Sequence, residues 1–116
     1  MPRLISFFVT TEQVRNQTKT VTRRQGWKFL KVGDVLCGCE KVQGRKSGEP
    51  LVRIGLIRVT DVRREPLDRM DVRIYGDMEA VKEGFPEMNG PEFVDMFCEE
   101  MGGERGQDVA RIEFEY

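Results

Sequence analysis

Histidine is missing from this chain of 116 residues. Its absence removes the usual proton shuttle near neutral pH and the commonest metal ligand. Any acid–base chemistry must then come from lysine, carboxylate, tyrosine or cysteine groups with shifted pKa values. There is no phosphate-cradling glycine loop, no CxxC pair and no HExxH helix, so the motifs with the clearest mechanisms are excluded. No apolar run approaches the ~20 residues that a membrane-spanning helix requires. The opening Met1 to Phe8 is too short an apolar stretch for a signal peptide. Only three cysteines occur, an odd number that reads as free thiols in a reducing cytosol. Cys37 and Cys39 would share one face of a strand and, with Cys98, offer three zinc ligands. A complete site would need an added carboxylate, and buried free thiols are the expectation.

What is present suits one modest core. The chain is 39% hydrophobic and 34% charged, and its length predicts a single domain over residues 1–116. A net charge of −1 hides an asymmetry. Between Glu12 and Asp34 there is no acid, but Arg15, Lys19, Arg23, Arg24, Lys28 and Lys31 all occur. From Glu65 to Glu104 twelve acids face only Arg69, Arg73 and Lys82. Either the basic region forms a face for an anionic ligand, or the two regions neutralise each other in the fold.

Periodicity gives the elements. Leu4 to Val9 reads as a buried strand, and Thr11 to Arg15 as one helical turn capped by Thr10 or Thr11. Thr20 to Arg24 is β-branched enough for a strand. Val32-Gly33-Asp34 turns into a strand over Val35 to Val42, and Gly44 to Pro50 is a polar loop. In the long strand region Leu51 to Arg64, Val52, Ile54 and Leu56 share one face, whereas Ile57 and Val59 take the other. That change of parity beside Gly55 predicts a bulge or a bend, as at a barrel corner. A short helix is expected over Asp77 to Lys82, ending at Gly84. A second starts at Pro91, carries Phe93, Met96, Phe97 and Met101, and stops at Gly102-Gly103. Ala110, Ile112, Phe114 and Tyr116 alternate with Arg111, Glu113 and Glu115, the pattern of a half-buried antiparallel strand. These elements predict an α+β domain, mainly antiparallel and barrel-like, with flanking short helices.

The richest segment is Thr18-Lys19-Thr20-Val21-Thr22-Arg23-Arg24. Lys19 to Arg24 resembles the lysine-threonine-x-threonine-x-arginine signature of ASCH domains, members of the PUA-like superfamily. Val32-Gly33-Asp34-Val35 is similar to that family's glycine-aspartate turn. Lys82-Glu83-Gly84-Phe85, followed by Pro91-Glu92-Phe93, is similar to its glutamate-glycine-phenylalanine element. Nearly the whole chain resembles small ASCH proteins of phage and prophage genomes. The resemblance implies a small β-barrel with a cleft for RNA or a modified nucleoside; no cofactor is expected, and the free thiols predict a cytoplasmic location.

One branch of the family removes the acetyl group from N4-acetylcytidine. The resemblance implies Thr22 as nucleophile, Lys19 as base and Glu83 as third member, with Arg24 at the signature arginine. A regular strand would send Lys19 and Thr22 to opposite faces, so Lys19 must precede the strand for this set to converge. Arg15, Arg23, Arg24 and Lys28 are expected on a positive rim. Thr20 belongs to the same polar segment, and Trp27 could stack on a base. A non-catalytic RNA-binding module and, less favoured, a metal-dependent ribonuclease are the alternatives. No carboxylate cluster reads as a magnesium site. The sequence identifies no protein partner.

Overall fold

The computed structural model describes residues 2–116. Nine elements follow in order: β1 (Arg3–Ser6), α1 (Thr11–Arg15), β2 (Val21–Arg24), β3 (Val35–Cys39), β4 (Arg53–Pro66), a 3₁₀ turn (Leu67–Asp71), α2 (Tyr75–Lys82), α3 (Gly90–Met101) and β5 (Asp108–Glu115). The sheet order is β1-β3-β4-β5-β2. β1 and β3 run parallel, whereas every other pairing is antiparallel. The result is a small α+β protein, a curled mixed half-barrel of five strands with short helices. Among the described residues no helix is long and apolar enough to cross a membrane.

β4 is the spine, since it pairs with β3 through its first half and with β5 through its second. Its register slips opposite Gly38/Cys39, leaving Ile54 as the extra residue beside Gly55. It slips again at Thr60, between Val59 and Asp61. The first bulge accounts for the parity change in the sequence. Ile54, the bulged residue, packs on the core, and Ile57 and Val59 fill the core after it. Each bulge adds twist, which curls the sheet around Ile5, Phe7, Leu36, Ala110, Ile112 and Phe114.

A second apolar cluster lies outside the curl, where Leu67, Met70, Ala80, Phe93, Val94 and Phe97 pack with Val109 of β5. α3 starts where its sequence directs. The Asn89 side chain accepts from Glu92 N–H, the Glu92 carboxylate accepts from Asn89 N–H, and Pro91 sits in the first turn. α2 begins two residues earlier than its acidic run suggested, after a γ-turn at Ile74 (φ 71°, ψ −61°). The starts of α2 and α3 meet over the Met70 carbonyl. A Cβ on Gly76 would lie 1.7 Å from that oxygen, and one on Gly90 1.8 Å from it. Only glycine permits this approach.

Two strands are shorter than their apolar runs. β1 stops at Ser6 and β3 at Cys39, although Phe7 N–H still donates to the Cys39 carbonyl (2.8 Å). Cys37 and Cys39 are free and buried, and Cys98 is free and half-buried on α3. The larger departure is Arg111. Strand alternation placed it toward solvent, but it is only 3% exposed. The outer face of β5 is covered by α2, whose inward residue at that point is Glu79.

Candidate functional site

A cleft of about 500 Å³ is lined by both edge strands of the open sheet, with Leu4 and Ser6 from β1 and Thr22, Arg23 and Arg24 from β2. α3 lines it through Phe93, Met96 and Phe97. Lys19 and Glu83 sit at its buried end, each 2% exposed.

Local structure accounts for the position of Lys19. Gln17 takes a positive φ of 60° just after α1, and the N–H groups of Thr18 and Lys19 both donate to the Gln13 carbonyl (2.9 and 3.2 Å). Thr20 N–H donates to the Lys82 carbonyl (2.8 Å). Lys19 therefore lies in a turn before β2, which opens at Val21, and the opposite-face objection of a regular strand does not apply. Glu83 is held from the other side. It caps α2, and Gly84 follows at φ 100°, where a Cβ would lie 2.9 Å from the Gln13 side chain. Gln13 Nε2 also donates to the Gly84 carbonyl (3.2 Å).

The Lys19 ammonium donates to both the backbone carbonyl and the carboxylate of Glu83 (2.6 and 2.9 Å). Burial lowers its pKa. Glu83 pulls the other way, and Arg24 and Arg23 add to the lowering. The other oxygen of Glu83 accepts from Arg23 (2.9 Å). Arg23 then donates to Glu79 (2.6 Å) and Glu65 (3.1 Å), and Arg111 grips Glu79 through two nitrogens (2.5 and 3.1 Å). Tyr75 OH closes this layer on Glu65 (2.9 Å). Burial works against the charged Arg23, but Glu83, Glu79 and Glu65 outweigh it and raise its pKa. Glu79 is the counterpart. Burial would raise it, and hydrogen bonds from Arg111 and Arg23 instead hold it down at about 2.

Thr22 and Arg24 face the opposite side of β2. Arg24 Nε donates to Thr22 Oγ1 (3.1 Å), and another of its nitrogens donates to the Ser6 carbonyl (2.5 Å). The same guanidinium lies 5.1 Å from the Phe7 ring centroid. Among the described residues no hydrogen bond joins Thr22 to Lys19, although both line the cleft.

The sequence candidates thus divide. Lys19, Thr22, Arg23, Arg24, Trp27 and Glu83 line one cleft, whereas Arg15, Thr20 and Lys28 do not line it. Arg15 pairs with Glu40 and Glu12 on another face. Thr20 is tied through its backbone to Lys82 and Phe114. Lys28 is exposed. Arg23 is 2% exposed, so it is an interior ion and not part of a positive rim. Three residues of the acidic region, Glu65, Glu79 and Glu83, neutralise it.

Sequence reasoning missed Glu65, Glu79, Arg111 and Tyr75. A signal did exist in α2, where Tyr75, Glu79 and Glu83 recur every four residues, the spacing of one helix face. It was obscured because the apolar Ile74, Met78 and Val81 point outward, at 69%, 57% and 50% exposure.

No family model matches the chain, and no curated protein matches it. A solved structure does. The fold is similar to that of protein EF3133 from Enterococcus faecalis V583, described as a DUF984 protein, with a TM-score of 0.63. The match covers 99% of this chain and 79% of that one at 17% identity. At that identity the likeness extends to the fold alone.

Proposed function

We propose that the chain is a PUA-like domain of the ASCH kind whose cleft takes a nucleoside, free or within RNA, and hydrolyses an N4-acylcytidine amide. The observation that carries this reading is that Lys19, Thr22 and Glu83 line one cleft, with Lys19 Nζ 2.9 Å from Glu83. Thr22 Oγ1 attacks the amide carbonyl while neutral Lys19 takes its proton. The C–N bond then breaks, and a proton returned through Glu83 lets cytidine leave as its free amine. Water hydrolyses the threonine ester, releases the carboxylic acid and restores the hydroxyl. Arg24, donating to Thr22 Oγ1, stabilises negative charge as it develops there.

Purified protein should release cytidine from N4-acetylcytidine. Thr22→Ala should abolish turnover with the fold intact. Lys19→Arg should lose ~10²–10⁴-fold, because arginine cannot act as the neutral base. The rate should rise with pH through the lowered Lys19 pKa, since the deprotonated form is the active one. Absence of wild-type turnover would overturn the hydrolase.

One observation favours a binding module instead. Thr22 Oγ1 is held by Arg24 and makes no hydrogen bond to Lys19 among the described residues. In that reading N4-acetylcytidine binds without turnover, and Lys19→Arg weakens binding only modestly.

A further inference from the structure

Two aromatic groups outside the buried layer mark the segments that leave the two edge strands. After β1, Phe8 lines the cleft while 66% exposed. Lys41, another lining residue, places its ammonium 5.7 Å from the Phe8 ring centroid and 3.9 Å from the Glu49 carboxylate, a loose pair that a phosphate can replace. After β2, Gly26 (φ 75°) and Trp27 (φ 56°) both take left-handed backbone conformations. For tryptophan this costs about 1 kcal/mol or more. The turn sets the indole on the cleft wall, 5.3 Å from the ring of Phe29. Phe29 is 49% exposed, and the Arg3 guanidinium lies 4.1 Å from its ring centroid.

Each segment therefore combines an exposed ring with a cation beside it, and Lys28 adds an exposed ammonium between Trp27 and Phe29. Burying rings such as these against an apolar partner would strand the adjacent cations in a dry interface. A nucleobase has a π-face for the ring, and its phosphate pairs with the cation, so a single-stranded nucleic acid satisfies both groups together. Arg23 and Arg111, which the buried layer consumes, take no part.

We infer that the ligand is a nucleoside within a single-stranded oligonucleotide, its flanking bases stacked on Phe8 beside Lys41 and on the Trp27–Phe29 pair beside Arg3. This rests on the reading of the cleft as a nucleoside site. It differs from that reading in requiring neighbours on the strand.

The test compares binding of free N4-acetylcytidine with that of a short single-stranded RNA carrying N4-acetylcytidine at its centre. The oligomer should bind more tightly, and its affinity should fall with added salt while that of the nucleoside changes little. Phe8→Ala and Phe29→Ala should each lower the oligomer-to-nucleoside affinity ratio by about 5- to 100-fold. Lys41→Ala should flatten the salt dependence. Thermal unfolding of each variant checks the fold, and the salt response of the wild type stands even if a variant fails to fold. If the nucleoside binds and the oligomer binds no tighter, the inference is overturned and the cleft reading survives. If the substitutions weaken both ligands equally, the rings belong to the nucleoside site and the inference is again overturned. If neither ligand binds, the cleft reading falls and takes the inference with it.

Discussion

Arg23 and Arg24 are adjacent on β2, point to opposite faces, and meet surroundings that differ in kind. Arg23 enters a layer between the sheet and α2 where each carboxylate serves more than one cation. Glu83 takes Lys19 and Arg23, and Glu79 takes Arg23 and Arg111. Arg24 enters the mouth of the curled sheet, where it meets a hydroxyl, one backbone carbonyl and the face of Phe7. Their pKa values move in opposite directions for that reason. Burial penalises both, but three glutamates reverse it for Arg23, and Glu83 alone does not for Arg24. A basic dipeptide in a sequence therefore says little until each residue's face is known. Strand alternation assigns the faces but not what covers them.

The comparison can be broken most severely at Arg23. Arg23→Ala leaves Glu65, Glu79 and Glu83 buried with too few cations, and should cost about 3–5 kcal/mol in urea unfolding. A loss below about 1 kcal/mol would mean that the layer is wet and tolerant.

Acid should produce a smaller loss on the same face. Glu79 is held at about 2 in the fold, against an ordinary value of 4.5. Its folded pKa is depressed, so its contribution is complete above the unfolded pKa and is lost as pH falls toward 2. The loss should reach about 3 kcal/mol. Glu79→Gln should remove that pH dependence, which urea titrations between neutral and acid pH would measure.

Arg24→Ala sharpens the contrast with the smallest effect. It removes hydrogen bonds to Thr22 and Ser6 and a contact with Phe7, leaving no buried carboxylate unpaired. A cost of about 1–2 kcal/mol is expected from the same unfolding measurement. Equal losses for the two arginines would erase the distinction drawn between the faces.

Much of the fold was legible because period and punctuation agree with it. Gly55 and the parity of Ile54 against Ile57 marked an irregularity in β4, a bulge or a bend, which the register shows to be a bulge, and Pro91 and Gly102 bounded α3 to within a residue. Chain order could not reveal the parallel pairing of β1 with β3, since that depends on where α1 and β2 send the chain between them. Of the candidate site, the Lys19 to Arg24 segment stood out by residue type, whereas Glu83 entered only through the resemblance to ASCH domains. Burial of Arg23 and Arg111 did not, because it depends on Glu79 arriving from α2. That helix turns its charged face inward and leaves Met78 and Val81 outside, as the turn before it leaves Ile74, against the ordinary expectation for an amphipathic helix. Phe8 passed as one more residue of an apolar strand, and its exposure follows from β1 ending at Ser6.

The bond from Arg24 to the Ser6 carbonyl has a consequence for solubility. An open sheet offers two raw margins to any passing chain, and unpaired strand margins are where sheets stack into aggregates. Here one side chain from the last strand of the order reaches the first and occupies a backbone acceptor that a foreign strand would need. A bulky cation in that position also obstructs the flat approach of a second sheet. Loss of Arg24 should therefore show less in the melting curve than in light scattering at high protein concentration, where exposed margins find one another.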